Sequence, residues 1–493
     1  MLSTVEHARI SLSRNTDAKK KSQFGQFLTP SGTAAFMAGL FPPAADECRL
    51  LDAGAGIGSL AAAFLERWLA GDFCFERVEL DAYEVDAVLH AELSRTLSAY
   101  RGGNFSARVL GEDYIEAATE AIAGGLFAKA VRGYTHIILN PPYKKIASDS
   151  VHRQALRRAG IETVNLYSAF VALALAQAAP TGQLVAIIPR SFCNGPYYRP
   201  FREFVLERAA IRHMHLFESR SKAFKDDAVL QENIIIRLER GGEQGPVTVS
   251  TSTDDSFSDL VSHDHPFARI VFPDDPERFI HVPTVAEPHV IEQYPAMRYT
   301  LAELDIEVST GPVVDFRLRE HLRDMPGPDT VPLLYPGHFA SSGSTWPIIG
   351  MKKPNAIERN PDTEKWLYPM GFYCVVRRFS SKEESRRIVA SLVDPGAFRD
   401  APALAFENHL NVFHAGRSGL PRALAHGLAV FLSTTAVDDA FRRFSGHTQV
   451  NATDLRRMKY PSREVLTQLG EWAVRQGACT QCMIDERFGA VSA

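Results

Sequence analysis

The sequence predicts an α/β protein in which a largely parallel sheet fills the amino-terminal half and a separate unit follows. Three observations carry this. Short apolar runs alternate with longer helical patterns from Leu50 onward, the rhythm of strands joined by crossover helices. A glycine-rich turn links the first of these runs to a helix. The alternation then breaks at Arg240-Gly241-Gly242-Glu243-Gln244-Gly245-Pro246, a stretch with the composition of a linker.

Strands are expected at Arg49–Ala53, Val78–Tyr83, Ala107–Leu110, His136–Leu139, Leu184–Ile188, Ile211–Phe217 and Asn233–Leu238, and helices notably at Ser59–Ala70, Asp86–Ala99 and Val164–Ala179. No clear helix separates the last two strands, so a sheet of about seven strands is expected to end in an antiparallel, hairpin-like pair. A chain of 493 residues with 45% hydrophobic content exceeds one ordinary core. The division expected is 1–240, a connecting segment 241–300, and 301–493. In the last part Pro, Gly and aromatic residues are scattered through 331–373 without clear period, and no fold follows from them.

Composition narrows the class. The most apolar stretch, Phe170 to Ala176, is far too short to span a bilayer, and no basic-plus-apolar leader opens the sequence, so cytoplasmic residence without a membrane partner is the expectation. Six cysteines in a chain this long do not make a disulfide framework. Cys479 and Cys482 form a CxxC, but a structural zinc site needs four ligands and no second pair follows, so no metal is expected. A net charge of −4 neither announces nor excludes nucleic acid, because a specific DNA binder needs a local basic groove rather than a basic average.

In Leu50-Leu51-Asp52-Ala53-Gly54-Ala55-Gly56-Ile57-Gly58-Ser59 a buried strand runs into a glycine-rich turn and a helix. Gly54, Gly56 and Gly58 permit close backbone approach to a ligand, though a tight strand-to-helix turn alone is also built this way. Two acidic residues sharpen the reading. Glu84 follows the second strand, where a carboxylate accepts both hydroxyls of a ribose, and Asp113 follows the third, placed to take an adenine amino group. Solvated strand-end carboxylates are the bland alternative. NAD and S-adenosylmethionine both contain adenosine, and these residues do not separate them.

The fourth strand decides. His136-Ile137-Ile138-Leu139 ends in Asn140-Pro141-Pro142-Tyr143, which alone would also suit a plain turn. The exocyclic amine of a base is a poor nucleophile because its lone pair is delocalised into the ring. Two hydrogen-bond acceptors localise that pair: the Asn140 side-chain oxygen and the Pro141 carbonyl, the latter held by a proline-fixed backbone. Tyr143 offers a flat face for stacking the base. A sulfonium is already an activated donor, so alignment matters more than a general base.

On these residues the chain resembles the amino-methylating DNA methyltransferases of the gamma arrangement, the TaqI-like partners of restriction enzymes, over about residues 23–240. In that arrangement the cofactor loop precedes the catalytic motif and the target-recognition domain comes last. The resemblance implies a Rossmann-like S-adenosylmethionine-dependent sheet and a separate carboxy-terminal recognition domain. It also implies methylation of adenine N6 on a flipped base of double-stranded DNA, and protection of that DNA from a companion restriction endonuclease. Phe24-Gly25-Gln26-Phe27-Leu28-Thr29-Pro30 is similar to the element contacting the methionine part of the cofactor, which implicates Thr29 and Pro30. Asp52, Gly54, Ala55, Gly56 and Gly58 fall on the cofactor loop, Glu84 on the ribose acid, and Asp113 with Tyr114 on the adenine contacts. Asn140, Pro141, Pro142 and Tyr143 match the catalytic tetrapeptide, and Phe224 is implied to stack on the face of the flipped base opposite Tyr143.

Val308 to Arg317 and Gly446 to Arg456 are similar to segments bounding the recognition region in methylases of the PstI or XhoI kind. Between them Arg377, Arg378, Lys382, Arg386 and Arg387 are candidates for phosphate contacts, and Asn408, His409 and Asn411 for base edges, against the alternative of a solvated helix face and turn residues. Two other functions share parts of this pattern. A protein glutamine methyltransferase also uses Asn-Pro-Pro-Tyr, and a catalytically inactive DNA-binding specificity protein would retain the fold.

Overall fold

The expected strands form in the expected order: β1 (Ala45–Ala53), β2 (Cys74–Tyr83), β3 (Phe105–Leu110), β4 (Tyr134–Leu139), β5 (Ala178–Pro189), β6 (Ala209–Phe217) and β7 (Asn233–Arg240). The computed structural model describes residues 2–15, 28–100, 102–123, 133–217, 232–273, 275–283, 296–340, 343–380, 384–398, 401–444 and 449–492. The chain divides into two compact units, Met1–Ala286 and Glu287–Ala493.

In the first unit the sheet has nine strands rather than seven. Two further strands, β8 (Val247–Ser252) and β9 (Val261–His265), lie in the stretch expected to connect the halves, and the sheet order is β3-β2-β1-β4-β5-β7-β6-β8-β9. Neighbours β3 through β5 run parallel. β7 inserts antiparallel between β5 and β6. β8 then pairs parallel with β6 and β9 antiparallel with β8. The antiparallel pair is present, but it does not end the sheet.

Period-two alternation sends successive strand residues to opposite faces. Leu50, Leu80, Ile138, Val185 and Ile187 enter one core with α1 (Leu2–Asn15), α2 (Ser31–Gly39) and α3 (Ser59–Leu69). Leu51, Ile137, Leu139, Leu184 and Ala186 enter the other, with α5 (Tyr114–Ala123) and α7 (Leu166–Gln177); between them in sequence come α4 (Ala87–Ser98) and α6 (Val151–Arg158). Tyr167 through Leu175 of α7 are buried on every side, which explains a helix apolar all round in a chain with no described helix long and apolar enough to cross a membrane.

The second unit carries a four-stranded antiparallel sheet, in the order Glu307–Thr310, Leu410–His414, Tyr373–Arg377 and Ala390–Val393. A five-stranded mixed sheet is centred on Thr330–Leu334 and its parallel neighbour Ala403–Phe406. Helices Arg422–Leu432 and Arg463–Gln476 meet where Gly427 and Gly470 remove side chains: a Cβ on Gly427 would fall 1.7 Å from the Leu466 carbonyl oxygen, and one on Gly470 1.7 Å from that of Ala423.

Candidate active site

β1 is flanked by β2 on one side and β4 on the other, so the strand order reverses there and the connections leave a crevice beyond the strands' carboxyl ends. The turn after β1 is left-handed at Gly54 (φ 76°), Gly56 (φ 58°) and Gly58 (φ 85°). Gly54 and Ala55 N–H donate to the Tyr83 carbonyl at 3.0 and 2.9 Å. Glu84, at the end of β2, accepts from the Gly56 N–H at 2.9 Å through Oε2 and from the Asp86 N–H at 2.8 Å through Oε1. Burial pushes the Glu84 carboxyl up to about 7, against the two N–H bonds that favour its charge.

The crevice encloses about 1050 Å³, open solvent included, and is lined by Gly54, Gly56, Glu84, Asp113, Tyr114, Asn140 and Pro142 of the residues expected from sequence. Both oxygens of Asp113 are engaged. Oδ1 accepts from the Ile115 and Glu116 N–H groups at 2.8 and 3.2 Å, while Oδ2 faces His152 Nε2 at 3.1 Å. Burial works to raise the Asp113 carboxyl, but the bond and charge of His152 with the two N–H groups hold it below its ordinary range. Tyr114 is buried and donates its hydroxyl to Gln177 Oε1 at 2.9 Å, leaving its ring edge-on to Tyr83 and tilted against Phe170.

At the end of β4 the Asn140 amide is oriented by two hydroxyls. Its Nδ2 donates to Thr29 Oγ1 at 2.9 Å, and its Oδ1 accepts from the Tyr143 hydroxyl at 3.1 Å. That hydroxyl also lies 3.1 Å from the Ile187 carbonyl, and its burial raises the phenol so that it stays a donor. Pro141 is buried, and the Tyr143 ring stands edge-on to Tyr167.

Other expected residues sit behind the crevice wall. Asp52 is fully buried and does not line it; burial pushes the group up to about 8, against a backbone hydrogen bond from Ala61 that favours its charge. Gly58 caps α3, and a Cβ there would meet Leu93 Cδ1 at 2.9 Å, so its bare backbone serves the packing of α4. Pro30 caps α2. Phe224 lies outside the described residues. Conversely, Leu28, Val85, Lys144, His152 and Phe170 line the crevice without having been singled out from sequence. Val85 is the plainest sign among them: an apolar side chain 52% exposed inside a cleft is a surface a ligand would cover. A glycine cradle, a buried acceptor and an exposed apolar wall fit an adenosine-bearing ligand.

Residues 96–224 match the model of the Eco57I restriction-modification methylase family. The chain is 52% identical over 478 residues to the type II methyltransferase M.BsuBI of Bacillus subtilis, an alignment covering 96% of this chain and 94% of that one. The family is thereby decided. This chain belongs to the type II DNA methyltransferases of restriction-modification systems. It is also 41% identical to M.PstI of Providencia stuartii over 98% of its own length and 95% of the relative's. In fold it is similar to the chain in a cryoEM structure of a DrdV–DNA complex, at a TM-score of 0.53 and 12% identity, over 96% of this chain and 59% of that longer one. The methyl donor of this methyltransferase is S-adenosylmethionine, and DNA is what it methylates.

In the second unit of the methyltransferase, two candidate contact residues turn inward. Arg387 is 1% exposed, with Nε on Ser380 Oγ at 3.2 Å, and Asn411 is wholly buried, donating to the Val450 carbonyl at 2.7 Å and accepting from Thr310 Oγ1 at 3.2 Å. Arg386 reaches the Thr434 carbonyl and Gln481. These three hold the unit together. Lys382 lies outside the described residues.

Proposed function

We propose that this methyltransferase acts on the exocyclic N6 of an adenine flipped out of duplex DNA, and that it protects the DNA of its cell against a companion restriction endonuclease. The observation that carries the reading is the Asn140 amide. It is held by Thr29 and Tyr143 on the wall of the crevice that also holds Glu84 and the glycine turn.

Bound S-adenosylmethionine supplies a methyl group on a sulfonium, an activated leaving group. Glu84 would accept the ribose hydroxyls, Gly54 and Gly56 would let the backbone approach, and Val85 and Tyr114 would lie beside the adenine ring of the cofactor. Asp113 would take that ring's amino group through Oδ2, beside its contact with His152. Asn140 Oδ1 and the Pro141 carbonyl each accept one hydrogen of the target amine, drawing its lone pair toward the methyl group; because both acceptors are held before the base arrives, little reorganisation is needed. Tyr143 serves twice, its ring stacking on the base and its hydroxyl fixing the amide. The base must leave the helix because the amine inside a duplex is out of reach of such groups.

Adenine is favoured over cytosine by the gamma order of cofactor turn, tetrapeptide and following unit. The second unit is assigned to sequence recognition. The test is to methylate DNA with the purified protein, digest it to nucleosides and separate them by mass. N6-methyldeoxyadenosine is expected; N4-methyldeoxycytidine as sole product would overturn the target assignment.

A further inference from the structure

The two sequence segments that bracket the second unit's central region meet at one tight turn. Val313, from the first, pairs with Glu407, and the Asn408 N–H donates to the Val313 carbonyl at 2.9 Å. Gln449, from the second, pairs with Phe379, and the Val450 N–H donates to the Arg378 carbonyl at 2.7 Å. Arg378 N–H in turn donates to the His409 carbonyl at 2.8 Å. Glu407-Asn408-His409 thus sits where four segments converge.

At that point a buried carboxylate aims an exposed ring. Glu407 is wholly buried, yet its oxygens hold only local donors: the His409 backbone N–H at 2.9 Å and His409 Nδ1 at 2.6 Å. The His409 side chain is 44% exposed and its ring is braced by Phe379, itself 41% exposed, at 4.9 Å. A carboxylate only accepts, so Nδ1 carries a proton, and the exposed ring presents Nε2 outward. Nε2 makes no hydrogen bond with the described residues. The surroundings suit a polyanion: Arg378 lies over Phe379, and Arg317 lies over Phe316, which is 61% exposed. Cations interleaved with exposed aromatic rings mark nucleic-acid surfaces.

We propose that the Glu407–His409 turn reads one base pair of the recognition sequence, with His409 Nε2 hydrogen-bonding to a base edge in the major groove. This rests on DNA being the substrate, as the proposed function has it. The buried Glu407 is a positioning residue, fixing tautomer and ring plane, and Arg317 is a phosphate contact that carries no sequence information.

The experiment uses the full chain. Its recognition sequence is first read by long-read sequencing, for modified bases, of DNA from cells expressing it. Methyl transfer is then measured on a duplex bearing that site and on duplexes altered at one base pair each. His409→Ala should lower kcat/KM on the intact site by about 10- to 100-fold, the range of one good base contact, and make the protein indifferent to the identity of a single pair. Binding of S-adenosylmethionine and the melting temperature should not change. Glu407→Gln should relax the same pair to a smaller degree. Arg317→Ala should weaken binding to every duplex alike and reduce its salt dependence. An unaltered preference at every pair in His409→Ala, or an equal loss on all duplexes with a lowered melting temperature, overturns the inference while leaving methylation intact. A wild-type protein that transfers no methyl group to DNA overturns it together with the reading beneath it.

Discussion

Replacing Glu84 with alanine isolates the cofactor half of the site. Glu84 accepts from the turn, at 2.9 Å from the Gly56 N–H and 2.8 Å from the Asp86 N–H, and lines the crevice. A hydrogen bond to a charged acceptor contributes about 1.5–3 kcal/mol. Two ribose hydroxyls would lose such bonds, but in an open crevice water restores part of the loss, so the net effect expected is that of roughly one bond, about 10- to 150-fold in Kd. Calorimetry with S-adenosylmethionine reads this directly. The carboxyl's position near 7 adds a second signature. If the ribose is held by the carboxylate, binding below pH 7 must first remove a proton. Affinity should then be level above about pH 8 and fall about tenfold per unit as pH drops below 7, with proton release on binding. Glu84→Gln should abolish this slope. Unchanged affinity in Glu84→Ala, together with a pH slope in Glu84→Gln equal to that of the unaltered protein, would refute the ribose assignment.

Thr29→Val removes the hydroxyl that receives Asn140 Nδ2; it should lower kcat by about tenfold or more while changing the Kd for S-adenosylmethionine little, and single-turnover kinetics separate the two. Gly427→Ala drives a methyl group into the Leu466 carbonyl, so denaturant unfolding should show a loss of about 3 kcal/mol or failure to fold, since helices cannot part by that distance cheaply. A fragment of residues 1–286 should retain S-adenosylmethionine binding and lose sequence-specific DNA binding, as gel shifts against competitor DNA would reveal. A fragment stopped at 239 should fare worse, because it strips β8 from β6 and exposes that strand's edge.

Much of the first unit was legible because its strands are apolar runs and its helices are long. β8 was not. Val247-Thr248-Val249-Ser250-Thr251-Ser252 alternates as a strand should, but its polar half reads as linker. The structure shows why serines are buried there: Ser250 Oγ sits 2.7 Å from His213 Nε2 and 2.9 Å from His215 Nδ1, and Ser252 Oγ lies 3.2 Å from His215 Nε2. Polar groups that satisfy one another across two strands are invisible to a hydrophobicity pattern. In the site, the glycine turn, Glu84 and Asn140 were legible because each sits at a strand's carboxyl end, where the fold itself gathers ligands. His152 and Phe170 reach the same crevice from helices α6 and α7, and only the packing of those helices brings them there. In the second unit, charge in the sequence did not tell groove from core. Arg387 is buried at 1% exposure with the Asp438 carboxylate accepting from its backbone N–H, while His409, two residues from the wholly buried Asn411, faces outward.

The account turns on Asn140 presenting its oxygen to the amine rather than holding the cofactor. Asn140→Ala, assayed with tritiated S-adenosylmethionine on DNA and in parallel by calorimetry, tests this most directly. The account predicts that methyl transfer falls to background while the Kd for S-adenosylmethionine stays near that of the unaltered protein. Turnover retained near the unaltered rate would contradict it.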